Sequence, residues 1–222
     1  MQIEEADLRK AILFSLCAIF AASALSAETE ISLYGGWQTV QPSHVSGFHP
    51  DGGTYSDRFL WDGKSFTLPP YYGFRVTQWA GKFGTSLEFT HAKSYAQDST
   101  RSSNNFQRFE FTDGLNLLTM NQFIRWPDSL VGLTPYAGVG LGLAFPHVDV
   151  LSNGGYQTYG YQITGPAVKL TAGGYRALSE TLIGFAEYQF SASQHSGTLT
   201  GGGSFETLLL TDALNVGIGW RF

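Results

Sequence analysis

Histidine, carboxylate and lysine side chains recur at the ends of several alternating apolar segments of this chain. His91 and Lys93 follow one segment, Glu110 and Asp113 begin the next, and His147 follows a third. Imidazole and carboxylate groups together can bind a divalent metal or transfer protons. None of these residues lies in a tight motif such as H-x-x-x-H, so a simpler interpretation is that they are exposed loop residues. Their chemistry depends on whether the fold brings them together.

The composition indicates that part of the surface faces a solvent other than water. Only 14% of the 222 residues are charged and 15% are aromatic, whereas soluble domains carry about 25% charged residues. Mean hydropathy is nevertheless only -0.06, and beyond the N-terminus there is no apolar run of the roughly 18 residues that a membrane helix needs. These properties are typical of a membrane β-barrel, in which apolar and polar residues alternate.

The N-terminus resembles a secretory signal. Arg9 and Lys10 precede a short apolar run, and Leu25-Ser26-Ala27 offers a cleavage site, so we predict a signal peptide over 1–27 and a barrel domain over 28–222. The only cysteine lies inside the predicted signal peptide, which excludes disulfides from the mature chain. The net charge of -5 and the lack of a basic run make nucleic acid an unexpected partner.

Eight segments, most of them with clear period-two alternation, predict the topology. They cover 31–38, 72–77, 86–90, 115–124, 136–145, 168–175, 182–190 and 214–222. Short connections (80–82, 127–132, 178–180) alternate with long ones (40–68, 94–108, 146–160, 191–206), as the turns and external loops of bacterial barrels do. We therefore predict an all-β fold: an eight-stranded antiparallel transmembrane β-barrel with long extracellular loops, in a Gram-negative outer membrane. The terminal Phe222 resembles the signal read by the outer-membrane assembly machinery.

The alternation turns charged residues into the barrel. The predicted inward residues are Arg75, Glu88, Lys169, Glu187 and Arg221. An eight-stranded barrel is filled by side chains, and buried charges must pair. We expect a structural network, with a proton or ion path as the alternative.

Several loop and strand stretches carry a more specific signal. They are WDGKSF (61–66), PPYYG (69–73), FTHAK (89–93), FEFTDGLNLL (109–118), PHV (146–148) and FAEY (185–188). Together they resemble the outer-membrane lipid A oxidases of root-nodule bacteria and their relatives. The resemblance implies oxidation of the proximal glucosamine of lipid A to a 2-aminogluconate unit through a lactone, with molecular oxygen as co-substrate and lipid A, the membrane part of lipopolysaccharide, as partner.

This implied activity suggests roles for the residues at the external rim. A base must take the anomeric hydroxyl proton, and His91 or His147 could do so near neutral pH. Asp113 and Glu110 could orient that base or share a metal with it. The expected substrate-binding residues are Lys64, Lys93, Trp61 and Asn116. No flavin motif is visible, which leaves either a divalent metal of unknown identity or chemistry without a cofactor.

Two rival functions remain open at the level of sequence. A non-enzymatic barrel would bind lipopolysaccharide or a host surface through the same charges. A lipid A deacylase would need a hydroxyl beside a histidine, for which His91 with Thr90 or Ser94 is the nearest candidate. The neighbours His195 and Ser196 lack a carboxylate close in sequence that could orient them.

Overall fold

A computed structural model describes residues 28–127, 129–130 and 132–222, so the predicted signal peptide lies outside the described residues. The described part contains one short helix, α1 (Asp98–Ser103), and thirteen strands. The strands are β1 (Glu28–Val40), β2 (Ser43–Phe48), β3 (Thr54–Phe59), β4 (Trp61–Asp62), β5 (Tyr72–Ala80), β6 (Phe83–Ala96), β7 (Phe106–Arg125), β8 (Thr134–Ala144), β9 (His147–Ser152), β10 (Gln157–Tyr161), β11 (Gly165–Ala177), β12 (Leu182–Leu199) and β13 (Gly203–Arg221). Among these residues, no helix has the length and apolar character needed to cross a membrane.

Eight of the strands form a closed antiparallel ring. Its order is β1, β5, β6, β7, β8, β11, β12 and β13. The ring closes where β13 pairs with β1, with Glu30 opposite Arg221 and Val40 opposite Thr211. Closure leaves no free edge in the membrane, where an unpaired backbone group would be costly. The predicted eight-stranded barrel is confirmed.

The outer surface of the ring carries an apolar belt. Alternate side chains on every strand point outward and are exposed, among them Leu33, Phe74, Leu87, Leu141, Leu170, Leu214 and Trp220. Aromatic residues such as Trp220 and Phe222 lie at the periplasmic edge of this belt, as expected for residues at a membrane interface. The described residues therefore form a membrane-spanning β-barrel.

The barrel interior is closed by paired charges. Arg75 contacts Glu187 at 3.0 Å, and Lys169 contacts Glu88 at 3.0 Å. All four side chains are almost fully buried. Arg221 lies nearer the periplasmic end, 2.9 Å from Glu28 and 3.0 Å from Glu30. The predicted pairing of inward charges is confirmed, and the geometry is that of a structural network.

The long connections are not irregular loops, and here the predicted boundaries were wrong. Segment 191–206 continues β12 to Leu199 and starts β13 at Gly203, with a tight turn between them. The glycines of that turn, Gly201 and Gly202, have positive φ values of 84° and 81°, a backbone conformation that glycine adopts without strain. The upper ends of β6, β7, β12 and β13 join β2, β3, β4, β9 and β10 to build a folded external extension of the barrel.

An aromatic core holds the external extension together. Phe59, Phe109, Phe111 and Phe205 are buried against one another, with ring centroids 5.2–6.4 Å apart in the contacting pairs. Aromatic pairs at such distances add to the stabilisation that comes from burial. The extension is therefore a rigid platform above the membrane.

Candidate functional site

His91 lies on the outer wall of the barrel, at the upper edge of the apolar belt. It follows Leu87 and Phe89 on the outward face of β6, and its strand partners are Tyr72 and Asn116. Its Nδ1 lies 3.0 Å from Asn116 Oδ1, and its ring stacks on Tyr72 with centroids 5.0 Å apart. Nε2 is buried and has no protein partner. The imidazole is therefore held rigidly, with one nitrogen unused.

A β-bulge in β7 creates the space for this histidine. Ala92 pairs with Leu115 but Ser94 pairs with Phe111, so three residues, 112–114, bulge out of β7. Gly114 has a φ of 110°, and a Cβ there would lie 2.4 Å from His91 Nδ1 and 2.2 Å from Asn116 Oδ1. Only glycine allows this backbone conformation and this close approach.

The same bulge directs Asp113 towards a second histidine. Asp113 Oδ2 lies 3.7 Å from Nδ1 of His147, whose side chain is almost fully buried. Tyr159 and Tyr161 enclose the His147 ring edge-on, at 4.4 Å and 4.8 Å. Tyr159 donates a long hydrogen bond of 3.5 Å to Asp113. Both tyrosine rings are more than 60% exposed, so they offer aromatic faces to a ligand.

Glu110 lies higher on the same face, in a mixed charge cluster. Arg108 bonds to Asp149 at 2.8 Å and approaches Glu110 at 3.7 Å. Burial, together with the negative charge of Asp149, raises the pKa of Glu110. Glu110 therefore takes up a proton more readily than an ordinary glutamate.

The two predicted substrate-binding lysines have different environments. Lys93 is fully buried, and its Nζ donates to the carbonyl oxygens of Thr67 (2.8 Å) and Pro69 (2.9 Å). Burial lowers the pKa of this amine. Lys64 is exposed and lies over the Tyr95 ring at 4.1 Å. Lys64 can therefore reach an anionic ligand, whereas Lys93 fixes the segment before β5.

Trp61 is not part of this outer face. It lies in the aromatic core of the extension, stacked on Phe111, and its Nε1 donates to Ser43 Oγ at 2.9 Å. β4 pairs with the top of β6 in a register that points the indole inward. The structure thus places the indole in the core of the extension and away from the outer face, and its role in substrate binding stays a prediction.

The hydroxyl groups considered for a deacylase are also elsewhere. Thr90 points into the lumen, where it bonds to Lys169, because neighbours on a strand face opposite sides. Ser94 Oγ is buried without a hydrogen-bond partner. His195 bonds to Ser193 and Thr164, each at 2.8 Å, inside the extension. None of these forms a hydroxyl–histidine pair on the outer wall.

The carboxylates and histidines do not form a metal cage. Over the described ranges, no three side chains of His, Cys, Asp or Glu are grouped so that they could hold a metal ion. His147 with Asp113 is a pair, and catalytic zinc sites use about three protein ligands. The residues present therefore do not fit a resident divalent metal.

Sequence reasoning missed four residues of this face. Gly114 was detectable, since Asp-Gly inside a strand signals a bulge or turn. Tyr159 and Tyr161 alternate around a glycine within a segment interpreted as loop, so a strand there was also detectable. Tyr72 was assigned to a strand, but its contact with His91 depends on the register between strands.

No protein-family model matches the chain, and no curated protein matches it in sequence. Solved structures do share the fold. Neisserial surface protein A superposes with a TM-score of 0.50 at 14% identity, covering 87% of this chain and 97% of that chain. The N-terminal β-barrel domain of Pseudomonas aeruginosa OprF gives a TM-score of 0.40 at 12% identity, with 89% and 100% covered. The likeness to the first of these shows the fold of a small outer-membrane β-barrel.

Proposed function

We propose that this outer-membrane barrel oxidises the proximal glucosamine of lipid A to a 2-aminogluconate unit. The observation that carries the proposal is the position of His91, Asp113 and His147 on the outer wall, at the upper edge of the apolar belt. Lipid A lies in the outer leaflet with its sugars at this height. Three of the stretches that resemble lipid A oxidases (89–93, 109–118 and 146–148) converge here, although they are distant in sequence.

The outer face offers suitable contacts for a charged sugar. Tyr159 and Tyr161 present exposed rings on which the apolar face of a glucosamine can pack. Lys64 and Arg108 lie at the upper side of the face, where a phosphate or a product carboxylate can pair with them. These contacts would hold the sugar beside the two imidazoles.

His91 is the better placed base. Asn116 Nδ2 lies 3.4 Å from the Asp113 carbonyl oxygen, which orients the amide so that its Oδ1 accepts from His91 Nδ1–H. This assignment follows from the hydrogen-bond network. It leaves the lone pair on Nε2, the atom without a protein partner. Nε2 is buried, so a neighbouring side chain such as the stacked Tyr72 has to move before Nε2 takes the anomeric hydroxyl proton.

The reaction balances with oxygen as the only oxidant. The base removes the proton from the anomeric oxygen, and the C1–H bond breaks as C1 becomes the lactone carbonyl. Two electrons and two protons pass from the sugar to O₂, which gives hydrogen peroxide. Water then opens the lactone to the carboxylate, so the lipid gains one oxygen atom overall.

Mass spectrometry of lipid A tests this proposal. Cells that make the barrel should contain lipid A with one added oxygen, and purified barrel given 1-dephosphorylated lipid A should consume oxygen and release peroxide. His91→Gln should lose most of this activity, because the amide cannot act as a base. His44→Gln is the matched control, since His44 is exposed and bonds only to Ser56. Full activity in both His91→Gln and His147→Gln would exclude a histidine base.

A non-enzymatic barrel is the second candidate. The positive charges of Lys64, Arg101 and Arg108 act on Glu110 and partly offset the rise in its pKa that burial causes. Such a cluster can bind the phosphates of lipopolysaccharide without chemistry. This candidate predicts tight lipid binding, no oxygen uptake and an unchanged lipid A mass. Deacylation would instead remove an acyl chain.

A further inference from the structure

A shallow apolar groove lies on the outer wall next to the candidate site. Its volume is about 790 Å³. Gly35 forms its floor, because this outward position on β1 has no side chain. Leu33, Val216 and Ile218 form its lower wall, and Phe66 and Pro70 project over it from above.

The overhang above the groove is firmly attached to the barrel. Ser65 Oγ accepts a hydrogen bond from the backbone N–H of Gln38 at 2.8 Å and donates one to the backbone carbonyl oxygen of Gln38 at 3.0 Å. Lys93 donates to two carbonyls of the same segment, those of Thr67 and Pro69. The groove is therefore preformed, and a ligand does not have to order it.

Tyr72 connects the groove to the candidate site. One side of its ring lines the groove, and the ring also stacks on His91. A molecule that fills the groove and extends past Tyr72 therefore lies next to the residue that stacks on the imidazole. One end of such a molecule would be apolar and lie in the groove, and the other end would be polar and lie near His91.

We propose that the groove binds one acyl chain of the lipid A molecule whose glucosamine lies at His91; this inference rests on the proposed function. The groove lies within the belt that faces hydrocarbon, so its occupant is a lipid chain. Lipid tails are as apolar as the wall, so the hydrophobic effect gives no preference for one chain. Selection comes from close packing in the groove and from the sugar contacts at the adjoining site.

Filling the groove tests this inference. Gly35→Trp should occupy it, and a Cβ at Gly35 would meet only the Tyr71 carbonyl oxygen, at 3.4 Å, which is an ordinary contact. Ala172→Trp is the matched control, because Ala172 also faces lipid but lies on β11, three strands away around the ring. Gly35→Ala and Gly35→Leu give a graded series if the tryptophan variant folds poorly. Shifted mobility of the unheated barrel on a gel reports folding.

Binding is measured by native mass spectrometry of the purified mature barrel titrated with 1-dephosphorylated lipid A. We expect affinity to fall about tenfold in Gly35→Trp and by less than about twofold in Ala172→Trp. Phosphatidylethanolamine with the same chain length should bind weakly to all variants. Equal lipid A affinity in wild type and Gly35→Trp would overturn the inference. Equal affinity for the two lipids in wild type would also overturn it, because the groove would then accept any lipid.

Oxygen uptake by the same samples separates this inference from the proposed function. If Gly35→Trp weakens lipid A binding and no sample takes up oxygen, the groove binds lipid A but the protein is not an oxidase. If Gly35→Trp binds and oxidises lipid A like wild type, the oxidase stands and the groove does not.

Discussion

Removing one cation from the barrel interior should cost more than removing the pair to which it belongs. The middle of the lumen holds two cations, Arg75 and Lys169, against two anions, Glu88 and Glu187, all almost fully buried. Arg75→Met leaves an unmatched negative charge among these groups. Two unit charges 3 Å apart attract by about 5 kcal/mol at an effective dielectric constant near 20. We therefore expect the free energy of unfolding to fall by about 3–5 kcal/mol, the usual cost of breaking a buried pair.

The double variant Arg75→Met/Glu187→Gln should recover most of this loss. It removes the partner carboxylate 3.0 Å away and leaves Lys169 paired with Glu88 at 3.0 Å. Wild type, Arg75→Met, Glu187→Gln and the double variant form a double-mutant cycle, measured by urea unfolding of barrels in lipid vesicles. Lys82→Met is the control, since Lys82 is exposed in the periplasmic turn and should change stability by less than about 0.5 kcal/mol. Additive effects in the cycle would refute a closed charge network and indicate a hydrated lumen.

Three further changes test the external extension. Burial lowers the pKa of His195 to about 3, whereas the pKa of histidine in the unfolded chain is about 6.5. The unfolded chain therefore binds a proton more readily, and the folded state loses stability as the pH falls below about 6.5. Between pH 6 and 4, the wild-type free energy of unfolding in urea should fall by about 1.4 kcal/mol per pH unit because of this histidine. His195→Asn should abolish this fall. Gly202→Ala should cost about 1 kcal/mol in the same assay because its φ is 81°, whereas Gly160→Ala, which meets no neighbour and has no such φ, should be neutral. Lys93→Met should make segment 65–71 accessible to protease while the barrel stays folded. Unchanged cleavage would show that the Lys93 hydrogen bonds do not hold this segment in place.

The membrane-spanning part of this fold was predictable because its strands alternate throughout between outward apolar and inward polar residues. Apolar residues such as Leu118 face outward towards lipid, and polar residues face the lumen. Above the membrane the exterior is water, so the rule reverses, and Phe109 and Phe111 on the same strand point inward. A pattern that changes sign within one strand looks irregular, which is why the extended upper strands were interpreted as loops.

The candidate site was predictable in its members but not in its geometry. His91, Asp113 and His147 were identified from residue type and from their positions at strand ends. Their contacts depend on the bulge at 112–114 and on the pairing of β9 with β7. Trp61 illustrates the same limit, because its orientation depends on two residues of strand pairing with β6.

The location of His91 and Asp113 on the outside of the cylinder has a consequence for how substrate arrives. Lipids diffuse sideways within the leaflet to this outer face, so a lipid substrate does not have to cross the aqueous phase. Turnover should then depend on the mole fraction of substrate in the leaflet and not on its bulk concentration. An antibody fragment bound at the distant tip, around Gly201, would leave this lateral entrance open.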